Sequence, residues 1–131
     1  MLEINGIRKT FHAGTANEVR SLQGVNLQIA PGSFVVVIGT NGSGKSTLLN
    51  AVAGTFLVDE GSIKIGGEDV TQWAEHRRAQ HIGRVFQNPF SGTAPTLSVA
   101  ENLALASRRG QTRGLGFALA GANRDRMFAA I

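Results

Sequence analysis

Eight consecutive residues, Gly39, Thr40, Asn41, Gly42, Ser43, Gly44, Lys45 and Ser46, place three glycines, a lysine and a hydroxyl in the order of the phosphate-loop pattern. Each residue type has a mechanical reason to be there. Glycines at 39, 42 and 44 allow positive φ, so the backbone can curl around an anion with successive N–H groups pointing inward. Lys45 brings an ammonium to where terminal phosphates concentrate their charge. Ser46 offers a hydroxyl oxygen to a magnesium ion bridging two phosphates, because Mg²⁺ prefers oxygen donors. Thr47 adds a second hydroxyl for a phosphate oxygen. Together these types permit capture of a triphosphate with its divalent metal.

Such a loop needs a strand before it and a helix after it, so that the helix N-terminus adds its positive end. Upstream, Pro31-Gly32 turns the chain into residues 34–38, Phe-Val-Val-Val-Ile. That apolar, β-branched run without alternation predicts a central parallel strand buried on both faces. Downstream, residues 46–53 have helical composition, with Leu48, Leu49 and Val52 on one face and Gly54 as the stop. The bland alternative is a glycine-rich turn with Lys45 as a surface charge, and the agreement of composition, spacing and flanks weighs against it.

Around this unit, residues 2–7 and 22–29 read as short strands separated by a polar loop at 13–17. Residues 62–65 alternate like a half-exposed strand closed by Gly66-Gly67. Residues 71–80 are helix-compatible with Thr71 as N-cap, and residues 82–86 read as a further strand. Ser98 and Glu101 form a capping box that opens a helix running to about Ser107. Gly114-x-Gly116 follows no strand and lacks a third glycine at 119, so a dinucleotide fingerprint is rejected there.

Composition bounds the function classes. The 131 residues are 42% apolar and 17% charged, as expected of one soluble globular domain. The apolar run at 34–38 is far short of the ~20 residues that cross a bilayer, and the first residues lack a secretory leader. With no cysteine there is no disulfide framework and no thiolate metal site, so a cytosolic setting is expected. The net charge of +4 comes from the end of the chain, where Arg108, Arg109, Arg113, Arg124 and Arg126 face only Asp125. A polyanion-binding arm, a solvated helical face and a surface docking a membrane protein are all compatible with this tail. No aromatics interleave with its arginines, and no nucleic acid is expected as a partner.

Beyond the loop, the chain resembles the ATP-binding cassette (ABC) family over nearly its whole length. Val85-Phe86-Gln87-Asn88-Pro89 resembles that family's Q-loop, and residues 96–103, Thr-Leu-Ser-Val-Ala-Glu-Asn-Leu, resemble its Thr-Val-x-Glu-Asn-Leu segment. Residues 61–67 resemble its antiparallel strand between loop and Q-loop. Guanine-reading Asn-Lys-x-Asp and Asp-x-x-Gly motifs are absent downstream of the loop. The resemblance implies an α/β P-loop NTPase, with a RecA-like parallel core and an antiparallel β lobe, stopping before the signature motif and the Walker B strand. Residues 1–95 would form the nucleotide-binding core and β lobe, and residues 96–131 the start of the helical subdomain.

The resemblance also implies roles. Lys45 and Gln87 would be catalytic, Ser46 and Gln87 would meet Mg²⁺, and Phe11, with Val19 near it, would stack on adenine. An ordinary core phenylalanine is the alternative for Phe11, and a polar residue ending a strand is the alternative for Gln87. ATP and Mg²⁺ are the implied cofactors. A transmembrane permease and a second, head-to-tail ATP-binding subunit are the implied partners, on the cytoplasmic face of the membrane. The branch it most resembles serves tryptophan or tyrosine import. Residues 56–60, Phe-Leu-Val-Asp-Glu, imitate the family's acidic motif, but their place before the antiparallel strand marks Asp59-Glu60-Gly61 as a turn. A chain without the acidic pair and the signature is expected to bind nucleotide and turn over little. The alternative is a truncated, non-catalytic module that binds a nucleotide or a partner.

Overall fold

The computed structural model describes residues 1–107 of the chain, so the arginine-rich tail and the Gly114-x-Gly116 segment lie outside the described residues. These residues fall into two compact units, Met1–His81 and a second that begins at Ile82.

In the first unit, β1 (Leu2–Phe11) and β2 (Val19–Ile29) precede α1 (Lys45–Ala53), followed by β3 (Glu60–Ile65), β4 (Glu68–Asp69) and the short helix α2 (Glu75–Arg78). The strands form one antiparallel sheet in the order β2-β1-β3-β4. The alternation predicted for residues 22–29 and 62–65 is thus realised, with both strands longer than predicted because β1 pairs along their whole extent. Between Ile4 and Ile7 the β1–β2 register shifts, and the Gly6 N–H donates instead to the Asn26 side-chain oxygen at 2.8 Å. A side chain thereby fills a gap in the ladder. One face of the sheet contributes Ile4, Ile7, Leu22 and Ile63 to the core, and α1 contributes Ala51. Val58 and Val70 complete that buried cluster, and the partly buried Trp73 packs against it.

Helix α1 ends where expected. Gly54 adopts φ 82, and its N–H donates to the Asn50 and Ala51 carbonyls, a left-handed termination suited to glycine. Against this end lies Arg78, which is 0% exposed. Its Nε donates to the Trp73 carbonyl at 2.9 Å and its Nη2 to that of Thr71 at 2.9 Å. Its Nη1 reaches the Ala51 and Val52 carbonyls of α1 at 2.7 and 3.0 Å. Burial lowers the guanidinium pKa, and the charge of Asp69 partly opposes that shift. A cation at a helix C-terminus also answers the negative end of its dipole.

Three sequence expectations are corrected. Thr71 does not cap a helix: its hydroxyl accepts from the Ile63 N–H at 2.9 Å and donates to Asp69 at 2.6 Å, tying β3 to the turn beyond β4. The helix starts only at Glu75, with Ala74 at its N-cap. Residues 34–38 form no ladder; they are exposed, Phe34 to 92%. A β-branched run becomes a strand only by pairing, and among the described residues no neighbouring strand is bonded to it.

The second unit shows the same limitation at residues 82–86, which form no ladder, with Arg84 lying 4.6 Å from the Phe86 ring. A 3-10 turn (Pro89–Gly92) follows, opened by the Asn88 side chain accepting from the Phe90 N–H at 3.0 Å. The predicted capping box holds α3 (Val99–Ser107): Glu101 Oε2 accepts from Ser98 N–H at 2.8 Å and from its hydroxyl at 2.7 Å. Asn102 pins the preceding loop, accepting from the Ala94 N–H and donating to the Ala94 carbonyl at 2.8 and 3.1 Å.

Replacing Arg78 by methionine keeps the stem but leaves buried carbonyls without donors. The expected cost is on the order of 3 kcal/mol in urea unfolding, with lysine recovering only part of it because an ammonium lacks the planar fork. Equal stability of Arg78→Met and the parent chain would remove this residue from the account.

Candidate functional site

Residues 39–44 of the phosphate loop lie directly before α1, and Lys45 and Ser46 form its first two residues. Gly44 is the N-cap, with φ 87, and no side chain caps the helix. The first-turn N–H groups, which a helix cannot satisfy internally, therefore meet neither a capping oxygen nor a first-turn acid. Gly44 also has a neighbour that forbids any other residue: a Cβ there would sit 2.8 Å from the Ser21 carbonyl oxygen of β2. Loop and strand are joined again by the Ser21 hydroxyl, which donates to Thr47 Oγ1 at 2.8 Å.

Lys45 folds back over its own loop. Its ammonium donates to the Gly39 and Thr40 carbonyls, both at 2.7 Å, and stands 3.5 Å from Ser43 Oγ. An ammonium has three N–H donors, and the third has only this long contact, so the charge is held at the loop with a donor to spare.

A cavity of about 480 Å³ opens beside the loop, within the range of small-molecule sites. Asn41, Gly42, Gly44, Lys45, Ser46 and Thr47 line one side of it. Phe11, His12, Val19 and Ser21 line the other. Phe11 and Val19 are register partners at the loop end of the β1–β2 hairpin, which is why both reach the glycine loop together. Hydroxyls, an ammonium and uncapped amides thus face an aromatic and an aliphatic side chain across one space. That donor set fits a metal-bound triphosphate carrying a planar base: Ser46 would supply the metal's protein oxygen and the amides and Lys45 would hold phosphate oxygens.

Gln87 is exposed and belongs to the second unit, so it is not among the residues this cavity gathers. Asp59 and Glu60 make contacts with β1, and the expected turn at Asp59-Glu60-Gly61 is corrected, because Glu60 and Gly61 already belong to β3. Asp59 pairs with Lys9 at 2.6 Å and accepts from the Thr10 N–H at 2.7 Å, while Glu60 lies 3.3 Å from Arg8. The Lys9 ammonium, then the Thr10 N–H, holds the Asp59 carboxyl below the usual carboxylate range. His12, His76 and His81 are exposed, and no cluster of metal-ligating side chains occurs among the described residues. Two features escaped sequence reasoning: Ser21, a small polar residue inside an alternating strand, and His12 at the cavity with φ 53. A turn-forming stretch immediately after a strand is the only signal for the latter.

A glycine loop of this residue pattern that opens a helix at an uncapped N-terminus is the mark of a P-loop NTPase. The sequence model of the ABC transporter family matches residues 22–130. A tyrosine transport ATP-binding protein of Clostridioides difficile (strain R20291) is 38% identical over 115 residues, covering 88% of this chain and 46% of that protein. The lipoprotein-releasing system ATP-binding protein LolD of Ruegeria pomeroyi is 36% identical over 108 residues, covering 79% of this chain and 46% of the relative. Among solved structures, the dimeric ATP-binding cassette MJ0796 in a post-hydrolysis state with ADP and Pi superposes with a TM-score of 0.77. It shares 30% identity, and the match covers 99% of this chain and 54% of that one. This chain belongs to the ABC transporter ATP-binding family, and it spans about half the length of the relatives it matches. No helix among the described residues is long and apolar enough to cross a membrane.

Gly42→Ala and Gly44→Ala separate two costs. Both positions have positive φ, 81 and 87, but a Cβ at 42 meets nothing whereas one at 44 meets backbone. The first should cost about 1 kcal/mol of stability, and the second more, together with roughly tenfold or greater loss of magnesium tripolyphosphate affinity in calorimetry. Equal effects would show that the contact with Ser21 does not matter.

Proposed function

We propose that this chain binds Mg-ATP as the N-terminal part of an ABC transporter ATPase subunit, and that the complete, dimeric subunit hydrolyses ATP to drive transport across a membrane. The observation that carries the reading is the single cavity in which Phe11 and Val19 face Lys45, Ser46 and Thr47. Triphosphate oxygens would lie against the first turn of α1 and the Lys45 ammonium, while Phe11 would offer its ring to adenine. Bound Mg²⁺ would neutralise phosphate charge, with the Ser46 hydroxyl as its protein ligand. As the family resemblance implies, Gln87 would meet the metal or the attacking water, and its neutral amide suits a contact that is made and released.

Residues 1–95 would form the nucleotide-binding core with its β lobe, and residues 96–131 the start of the helical subdomain. The likeness to a dimeric cassette supports a second ATP-binding subunit packed head to tail. The transport names of the relatives support a transmembrane permease as partner, which would set the subunit on the cytoplasmic face of the membrane. The likeness to a tyrosine transport protein supports an aromatic amino acid as cargo. With Asp59 committed to Lys9 and Thr10, hydrolysis would draw on carboxylates other than this one.

Titration with Mg-ATP should show saturable binding that Lys45→Ala weakens by roughly ten- to a hundredfold, the loss expected for hydrogen bonds to a charged group. Steady ATP hydrolysis by residues 1–131 should be negligible. Undiminished affinity in Lys45→Ala, or turnover by this chain that the substitution abolishes, would overturn the respective half of the reading.

A further inference from the structure

Asp59 does not line the cavity, yet its N–H and both carboxylate oxygens are used on three consecutive residues of β1. Its N–H donates to the Arg8 carbonyl at 2.9 Å, its Oδ1 accepts from Lys9 Nζ at 2.6 Å, and its Oδ2 accepts from the Thr10 N–H at 2.7 Å. The next residue is Phe11. Phe56, from the same segment as Asp59, meets Phe11 edge-on, with ring centroids 5.2 Å apart and an interplanar angle of 82°. Lys9 Nζ stands 5.7 Å from the Phe11 centroid and 5.6 Å from that of Phe56. The Lys9 side chain is only 17% exposed, so its attraction to both rings is partly shielded from water. Phe11 in turn lines the cavity shared with Lys45 and Thr47.

We propose that Asp59, acting through Lys9 and Phe56, is a positioning residue for Phe11, and that this clamp sets how much the base adds to nucleotide affinity. The proposal rests on the reading of the cavity as a nucleotide site. A ring at the end of a strand has free rotation and a fraying backbone as alternatives. Here the backbone is fixed at Arg8 and Thr10, and the ring is fixed by a perpendicular neighbour and a cation. The segment that does this is continuous with α1, whose first turn lines the cavity. One helix therefore leads from the anion-binding amides to the residues that set the aromatic platform. The carboxyl is held below its ordinary range by Lys9, so the clamp is ionised at neutral pH.

The test compares Mg-ATP with magnesium tripolyphosphate, which has the charge but no base, by calorimetry on the full chain. Asp59→Ala should weaken Mg-ATP binding by about three- to tenfold and leave tripolyphosphate within about twofold, since stacking on an aromatic ring is the part being loosened. Asp59→Asn, which keeps the shape but loses the ion pair, serves if alanine does not fold, and Phe56→Leu should give the same selective loss. Equal affinities of parent and Asp59→Asn for both ligands would overturn the clamp while leaving the nucleotide site intact. So would a loss shared equally by ATP and tripolyphosphate. A parent chain that binds neither ligand would overturn the nucleotide reading itself, and the clamp with it.

Discussion

The first turn of α1 has backbone N–H groups that the helix cannot pair, and Gly44 brings no side-chain oxygen to them. Much of the first unit is arranged around that deficit. A left-handed glycine lets the chain enter the helix from a curled loop, and the same missing Cβ admits the Ser21 carbonyl of β2. β2 thereby becomes the wall of the cavity, and its partner β1 delivers Phe11 to the rim. An anion is the one ligand that meets uncapped amides and a spare ammonium donor with a single charge.

The opposite end of α1 has the complementary problem, carbonyls in place of amides, and it is solved by protein alone. Gly54 turns its own N–H back, and Arg78 brings a guanidinium to Ala51 and Val52 while also binding Thr71 and Trp73. The two ends thus differ in kind: one open to a ligand, the other sealed. Fixing one end of the helix also fixes the other, because any tilt would move the first-turn amides relative to Phe11.

What could be read from the sequence follows from the range of the interactions. The phosphate loop, the Gly54 stop and the Ser98–Glu101 box are local, closed within a few residues, and their residue types announce them. The alternation of residues 62–65 gave their strand because one face packs on Ile4 and Ile7 while the other meets solvent. Residues 34–38 have strand composition without forming a strand, because composition reports a preference for pairing, and pairing needs a second strand. Thr71 has the residue type of a cap, but its hydroxyl finds β3, eight residues back, before it can cap anything. Neither Arg78 nor the Asp59 clamp could be foreseen: one needs carbonyls from two segments, and the other joins residues separated by 49 and 50 positions. A charged residue buried among main-chain oxygens has no sequence signature.

The choice of a guanidinium at position 78 has its own consequence. Amines and imidazoles surrender their proton when desolvated, but arginine starts so high on the titration scale that even a lowered value keeps it cationic. The junction between α1 and the 71–78 segment is therefore insensitive to acidity across the physiological range. Any response of the first unit to acidity has to be sought elsewhere, in parts of the chain whose bonds a proton is able to break.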